Sequence, residues 1–171
     1  IARTPAETVF VLPNNKNIVM AAQRVAEIVP EKEVRVLPTR TIGAGLAVAV
    51  SFREDLSLDE QFADMEEAAG SALTLEVTTA SRTVTVEDVE VSEGEFIGLA
   101  NGKPELSEND AAGCLIGLLD RFADEYEIAT LFHNSDIEPQ EVEELVERLE
   151  TRFPDLELEA HSGAPDLYPF V

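Results

Sequence analysis

The chain has 171 residues, 44% of them hydrophobic, with 35 acidic against 12 basic side chains and a formal net charge of −23. That hydrophobic share supports a packed core, while the charge repels nucleic-acid backbones and anionic lipid surfaces and favours a basic protein partner. No apolar run approaches the roughly 18 residues of a membrane span, no leader-like segment opens the chain, and the single cysteine, Cys114, rules out an internal disulfide framework, so a soluble cytoplasmic protein is expected.

Thr8–Leu12 reads as a buried strand ended by Pro13. The polar turn Asn14, Asn15, Lys16, Asn17 follows, then a helix to about Val29 whose apolar residues Ile18, Val19, Ala22, Val25, Ala26 and Val29 form one stripe. Val34–Leu37 is a second strand, giving a βαβ unit with parallel strands. The segment "TRTIGAGL", Thr39–Leu46, reads as a loop after a parallel strand, and a helix near Leu58–Ala69 turns Phe62, Met65 and Ala69 inward.

From Ser71 to Leu99 the period changes to two, with Leu73, Leu75 and Val77 alternating with polar neighbours, as do Val84, Val86, Val89 and Val91. That is the pattern of half-buried antiparallel strands. Asn101-Gly102 predicts a tight hairpin joining Phe96–Ala100 to Pro104–Leu106. Helical spacing returns after Ser107, a candidate N-cap with Asp110 as the acid of a capping box. Ala111, Cys114, Leu115, Leu118, Leu119 and Phe122 form its stripe. Strand Ile128–Phe132, helix Pro139–Arg152 and strand Leu156–Ala160 complete the chain.

The opening strand–helix–strand and the closing one share a layout, each with an asparagine-bearing turn and a later small-residue turn. The expected fold is therefore α/β, with two similar βαβ-type halves at 1–70 and 107–171 and a β-rich antiparallel insert at 71–106.

Two loops at strand ends could carry chemistry. Lys16 lies where a helix start favours an anion, yet Asn14 or Asn15 could equally cap that helix, and the turn lacks the glycines of a phosphate loop. Thr39, Thr41 and Gly45 occupy the position where open α/β sheets place ligands, although small loops also serve packing. His133 and His161 each follow a strand, without metal-ligand spacing around them, and Cys114 lies on an apolar helical stripe. No established catalytic motif is present.

The acidic residues are grouped. Glu87, Asp88, Glu90, Glu93 and Glu95 lie in a strand-and-turn context, Asp120 and Asp124 end a helix, and Glu141, Glu144 and Glu147 mark the outward face of another. Each group alone fits a solvated face or a generally acidic surface. Together on one concave side they would form a groove for a basic partner, raising association rate and specificity.

"VFVLPNNKNIVMAAQ", "VLPTRTIGAGLAV", "EGEFIGLANGK" (Glu93–Lys103) and the ending "HSGAPDLYPFV" resemble the C-terminal region of dihydroxyacetone-kinase-like proteins, the kinase subunit of bacterial fatty acid kinase. The resemblance covers nearly the whole chain, although the family's region begins earlier with a glycine-rich α/β segment, so the first half reads as lacking its N-terminal part. It implies a DegV-like fold and a noncatalytic domain that docks a basic-surfaced, fatty-acid-loaded DegV-like carrier through acidic groups. It also implies that ATP and magnesium bind a separate N-terminal domain, and that the present chain holds neither a cofactor nor a metal. The competing reading is a small-ligand site for an acyl chain or phosphate, built from Asn14–Asn17, Thr39–Thr41, His133 and His161.

Overall fold

In the computed structural model, residues 1–86 and 89–171 are described, and the chain divides into two compact units, Ile1–Thr74 and Leu75–Val171. The architecture is mixed α/β with several small sheets.

In the first unit, β1 (Thr8–Val11) pairs in parallel with β2 (Glu33–Val36) through α1 (Val19–Glu27). Val9 pairs with Val34 and Val11 with Val36, so these valines share one face, on the side where α1 packs against β2. The opposite face carries Phe10, Leu12 and Leu37, which meet Val48 of α2 (Ile42–Val50) and Phe62, Met65 and Ala69 of α3 (Leu58–Ser71). The parallel pair thus has helices on both faces, as such sheets require. Arg35 spans to α3, bonding Asp59 at 2.7 Å and lying 5.8 Å from the Phe62 ring centroid.

Three expectations are corrected here. Thr39–Leu46 is not a loop throughout: α2 begins at Ile42, capped by Thr41, whose Oγ1 accepts from the Ala44 amide at 3.2 Å. Glycines at 43 and 45 weaken helical propensity but let neighbouring side chains approach the helix closely, which propensity alone does not register. Gly45 is therefore a helical residue and not a turn residue. On α1, Ala22 is buried, but Ile18 and Val25 are exposed, because the nine-residue helix rests on a two-stranded sheet too narrow to cover the whole stripe. Neither Asn14 nor Asn15 caps α1; its cap position is Ile18, without a side-chain bond.

In the second unit, β3 (Leu75–Thr79), β6 (Phe96–Ala100) and β7 (Lys103–Glu108) form an antiparallel sheet in the order β3-β6-β7. In a separate two-stranded sheet, β4 (Val84–Val86) pairs antiparallel with β5 (Val89–Val91). The turn between β6 and β7 holds Asn101 at φ 50° and Gly102 at φ 74°, as a two-residue hairpin loop demands. α4 (Ala111–Phe122) lays Cys114, Leu115, Leu118 and Leu119 on this sheet, and Gly98 admits it: a Cβ there would lie 2.9 Å from Leu118 Cγ. Ser107 belongs to β7 and does not cap α4. Asp110 does, its Oδ1 accepting from the Gly113 amide at 2.7 Å, because extending the hairpin to Glu108 delays the helix start by three residues.

β8 (Ile128–His133) and β9 (Glu157–Ser162) form a second parallel pair, joined by α5 (Pro139–Arg152), whose Val142, Leu145 and Leu149 are buried. The last residues connect this pair to the antiparallel sheet. Phe170 accepts from the Val77 amide at 2.9 Å, while Phe132 and Val171 exchange two backbone bonds of 2.7 and 2.9 Å. Strands of the segment 71–106 and of the closing segment therefore share one core, containing Val77, Leu106, Leu118, Leu131, Leu145 and Phe170.

Candidate functional site

The two strand-end turns of the first unit meet. Asn14, at φ 52°, donates its amide to Thr39 Oγ1 at 3.1 Å, and Thr39 is 1% exposed. The Asn14 side chain lies over Gly45: a Cβ there would overlap Asn14 Oδ1, an atom that is buried and accepts no hydrogen bond. Thr41 Oγ1 also accepts from Thr74 Oγ1 at 2.7 Å, and Thr74 occupies the space beside Gly43. The N-terminal turn of α2 is therefore occupied by the chain's own side chains. Asn15 Oδ1 accepts from the Asn17 amide at 2.9 Å, a local turn bond, and Lys16 is exposed at its tip.

His133 and His161 do not face each other. In a parallel pair, residues in register share a face and successive residues alternate. His161 is in register with Phe132, their ring centroids 5.9 Å apart, whereas His133 is in register with Ser162 and lies on the opposite face. His133 Nδ1 is 3.1 Å from the Asn134 carbonyl, and His161 Nε2 is 3.6 Å from Glu159. Cys114 is fully buried, with Sγ 3.7 Å from the Phe96 carbonyl oxygen; burial, with Glu108 and Asp110 adding to it, pushes its thiol up to about 12, far from thiolate chemistry. Among the described residues, no group of three or more His, Cys, Asp or Glu side chains is placed to hold a metal ion.

The acidic candidates divide by role. Glu95 is engaged structurally: its carboxylate accepts from the Ser92 amide at 2.7 Å and from Ser107 Oγ at 2.9 Å, and these bonds hold it below its ordinary pKa. Asp120 forms a two-bond pair with Arg152 at 2.7 and 2.8 Å, which lowers its pKa in the same way. Glu144 and Glu147 line an open groove of about 850 Å³ whose other walls are Ile116, Arg148, Thr151 and Arg152. Glu90, Glu93, Asp124 and Glu141 are exposed but do not line it, and Glu87 and Asp88 lie outside the described residues. The candidates are thus not gathered on one groove. Arg148 lies on the same outward face of α5 as Glu144 and Glu147, as its spacing implies, whereas Arg152 escaped the sequence reading because it looks like an ordinary solvated position at the helix end.

Charge is distributed unevenly along the chain. The second unit holds 24 of the 35 acidic residues and only five of the 12 basic ones. A field of that sign is long-ranged at low salt and decays over about 8–10 Å at physiological ionic strength.

The family of FakA-like C-terminal domains of fatty acid kinase matches residues 1–171. The chain belongs to this family. Among curated relatives, Protein YloV of Bacillus subtilis is 31% identical over 167 residues, covering 97% of this chain and 30% of that protein. A Staphylococcus haemolyticus protein, SH1689, is 33% identical over 172 residues, covering the whole of this chain and 31% of its own length. The FakA-like domain described here therefore spans about a third of the relatives it matches. Two solved structures share its fold. One is a DegV family protein from Thermus thermophilus described for its fatty acid binding, with a TM-score of 0.60 at 16% identity over 92% of this chain and 65% of that one. The other is the Streptococcus pneumoniae fatty acid kinase B3 protein loaded with linoleic acid, with a TM-score of 0.58 at 12% identity over 98% and 68%. The DegV-like expectation is met at the level of fold. Among the described residues, no helix is long and apolar enough to cross a membrane.

Proposed function

We propose that this FakA-like domain is the noncatalytic docking module of a fatty acid kinase, holding a fatty-acid-loaded DegV-like carrier with a basic surface while other domains bind ATP and magnesium and transfer phosphate. The observation that carries this reading is the concentration of carboxylates on the second unit, 24 acidic against five basic residues. Membership of a kinase family and a fold shared with fatty-acid-binding proteins fit a module that resembles its partner. Exposed carboxylates at Glu90, Glu93, Glu141, Glu144 and Glu147 would steer a basic carrier into contact and reject acidic competitors. The strand-end turns serve packing in this account: Asn14 and Thr74 fill the space beside Gly45 and Gly43, and Cys114 is sequestered. We also read the two parallel pairs as counterparts, with 71–106 lying between two α/β halves at 1–70 and 107–171, in a cytoplasmic protein.

The rival is direct binding of an acyl chain or phosphate at the strand ends. Native mass spectrometry of the purified chain, alone and mixed with the linoleate-loaded pneumococcal B3 protein, separates the two. The docking reading predicts a lipid-free chain when alone and a one-to-one complex with the loaded carrier. A chain that retains lipid and forms no complex contradicts it.

A further inference from the structure

The two parallel pairs differ in how they are covered. β1 and β2 have helices on both faces, but β8 and β9 are covered on one face only. Leu131 and Leu158 point to the side of α4 and α5 and belong to the core. The register then fixes the other face: Ile128 beside Glu157, Thr130 beside Glu159, and Phe132 beside His161. This face is open. Ile128 is 64% exposed, the Glu159 and His161 side chains are 64% and 54% exposed, and Thr130 and Glu157 are exposed as well, while Phe132 is half-buried, its ring against that of His161. Parallel sheets are ordinarily buried on both sides, so a bare face on such a pair is a surface lacking its covering layer.

Its chemistry specifies that layer. β9 presents Glu157 and Glu159 in a row about 7 Å apart, and β8 presents Ile128 and Phe132 in a parallel row about 5 Å away, as strand geometry dictates. No lysine or arginine stands among these six residues; the one basic group, His161, lies 3.6 Å from Glu159. A helix repeats side chains about 6 Å apart at i and i+4, so one stripe of lysine or arginine and a neighbouring apolar stripe match the two rows.

We propose that the outer face of β8 and β9 is the surface that receives the carrier, through a basic amphipathic helix laid across the pair, with cations on Glu157 and Glu159 and apolar side chains on Ile128 and Phe132. This inference rests on the docking reading above and locates it away from the α4–α5 groove. Another copy of this strongly acidic chain would bring like charge to the face, and an anionic membrane would be repelled by it.

The test is calorimetric titration of the linoleate-loaded pneumococcal B3 protein into four proteins: the unaltered chain, Glu157→Lys/Glu159→Lys, Ile128→Ser, and Glu144→Lys/Glu147→Lys. The proposal predicts at least about tenfold weaker binding for the β9 double variant, a several-fold loss for Ile128→Ser, and, because Glu144 and Glu147 steer the carrier without touching it, a clearly smaller loss for the groove variant than for the β9 double variant. Amides of β8 and β9 should also gain protection from hydrogen exchange when the unaltered chain is bound. Tight binding lost only in the groove variant overturns this location and leaves docking intact. Carrier-free dimers abolished by the β9 variant assign the face to self-association and overturn the proposal. No binding by any of the four overturns docking and its location together.

Discussion

Gly45 faces the Asn14 carboxamide at a distance that leaves no room for a methyl group. Helical propensity alone favours Gly45→Ala by about 1 kcal/mol. The clash with Asn14 Oδ1 opposes that gain, and crowding of this kind costs about 1–3 kcal/mol, so the clash wins. Gly45→Ala is expected to lower Tm, and Asn14→Gly in the same chain is expected to restore most of the loss, since glycine tolerates the positive φ at 14 and removes the obstructing group. Thermal melts of the single and double variants check this; an unchanged or raised Tm for Gly45→Ala alone would show that the Asn14 turn is free to move aside. The polar character of this turn is legible in the residues, but its use is not. Asparagine between a strand and a helix fits capping, anion contact and packing alike, and the Asn14–Thr39 bond and the approach to Gly45, which support packing, are long-range features that the local residues do not show.

Elements with strong periodicity are legible nearly to the residue. α5 runs from Pro139 to Arg152 as expected, because proline at its first position and a clean apolar stripe mark both its start and its face. The Asn101-Gly102 hairpin is also where its dipeptide places it. α2 escapes a reading by pattern, since "IGAGLAVAV" is apolar all round and two glycines mask its helical period. The start of α4 is displaced from its expected place because "SEND" offers two capping residues three apart, and only the length of β7 chooses between them. A direct consequence follows. Asp110→Ala should destabilise the protein by about 1 kcal/mol through loss of the cap on Gly113, and Asp110→Asn should cost less, because its carboxamide oxygen can still accept that bond. Denaturant unfolding of the two variants decides; no loss in Asp110→Ala would contradict the assignment of the cap.

Across the whole molecule, fold and charge are legible in the residues and the arrangement of charge is not. Alternation and helical spacing point to an α/β chain, and the family match and the shared fold with fatty-acid-binding proteins agree with it. The acidic groups invite a single groove, yet only Glu144 and Glu147 line the one between α4 and α5. Glu157 and Glu159 carry no local signal, because alternating charge on an edge strand looks like simple protection against strand pairing. Their significance comes from register with Ile128 and Thr130, a long-range fact invisible to local pattern. The uneven loading of the two units makes the second one strongly negative, and a partner drawn by that field must arrive faster when the field is unscreened.

The association rate of the linoleate-loaded B3 protein with this chain, followed by stopped flow as ionic strength rises from about 50 mM to about 500 mM, reads that field directly. Docking by charge predicts a fall in the rate constant of at least about tenfold across that range, with the dissociation rate changing far less. A rate constant independent of salt would contradict it.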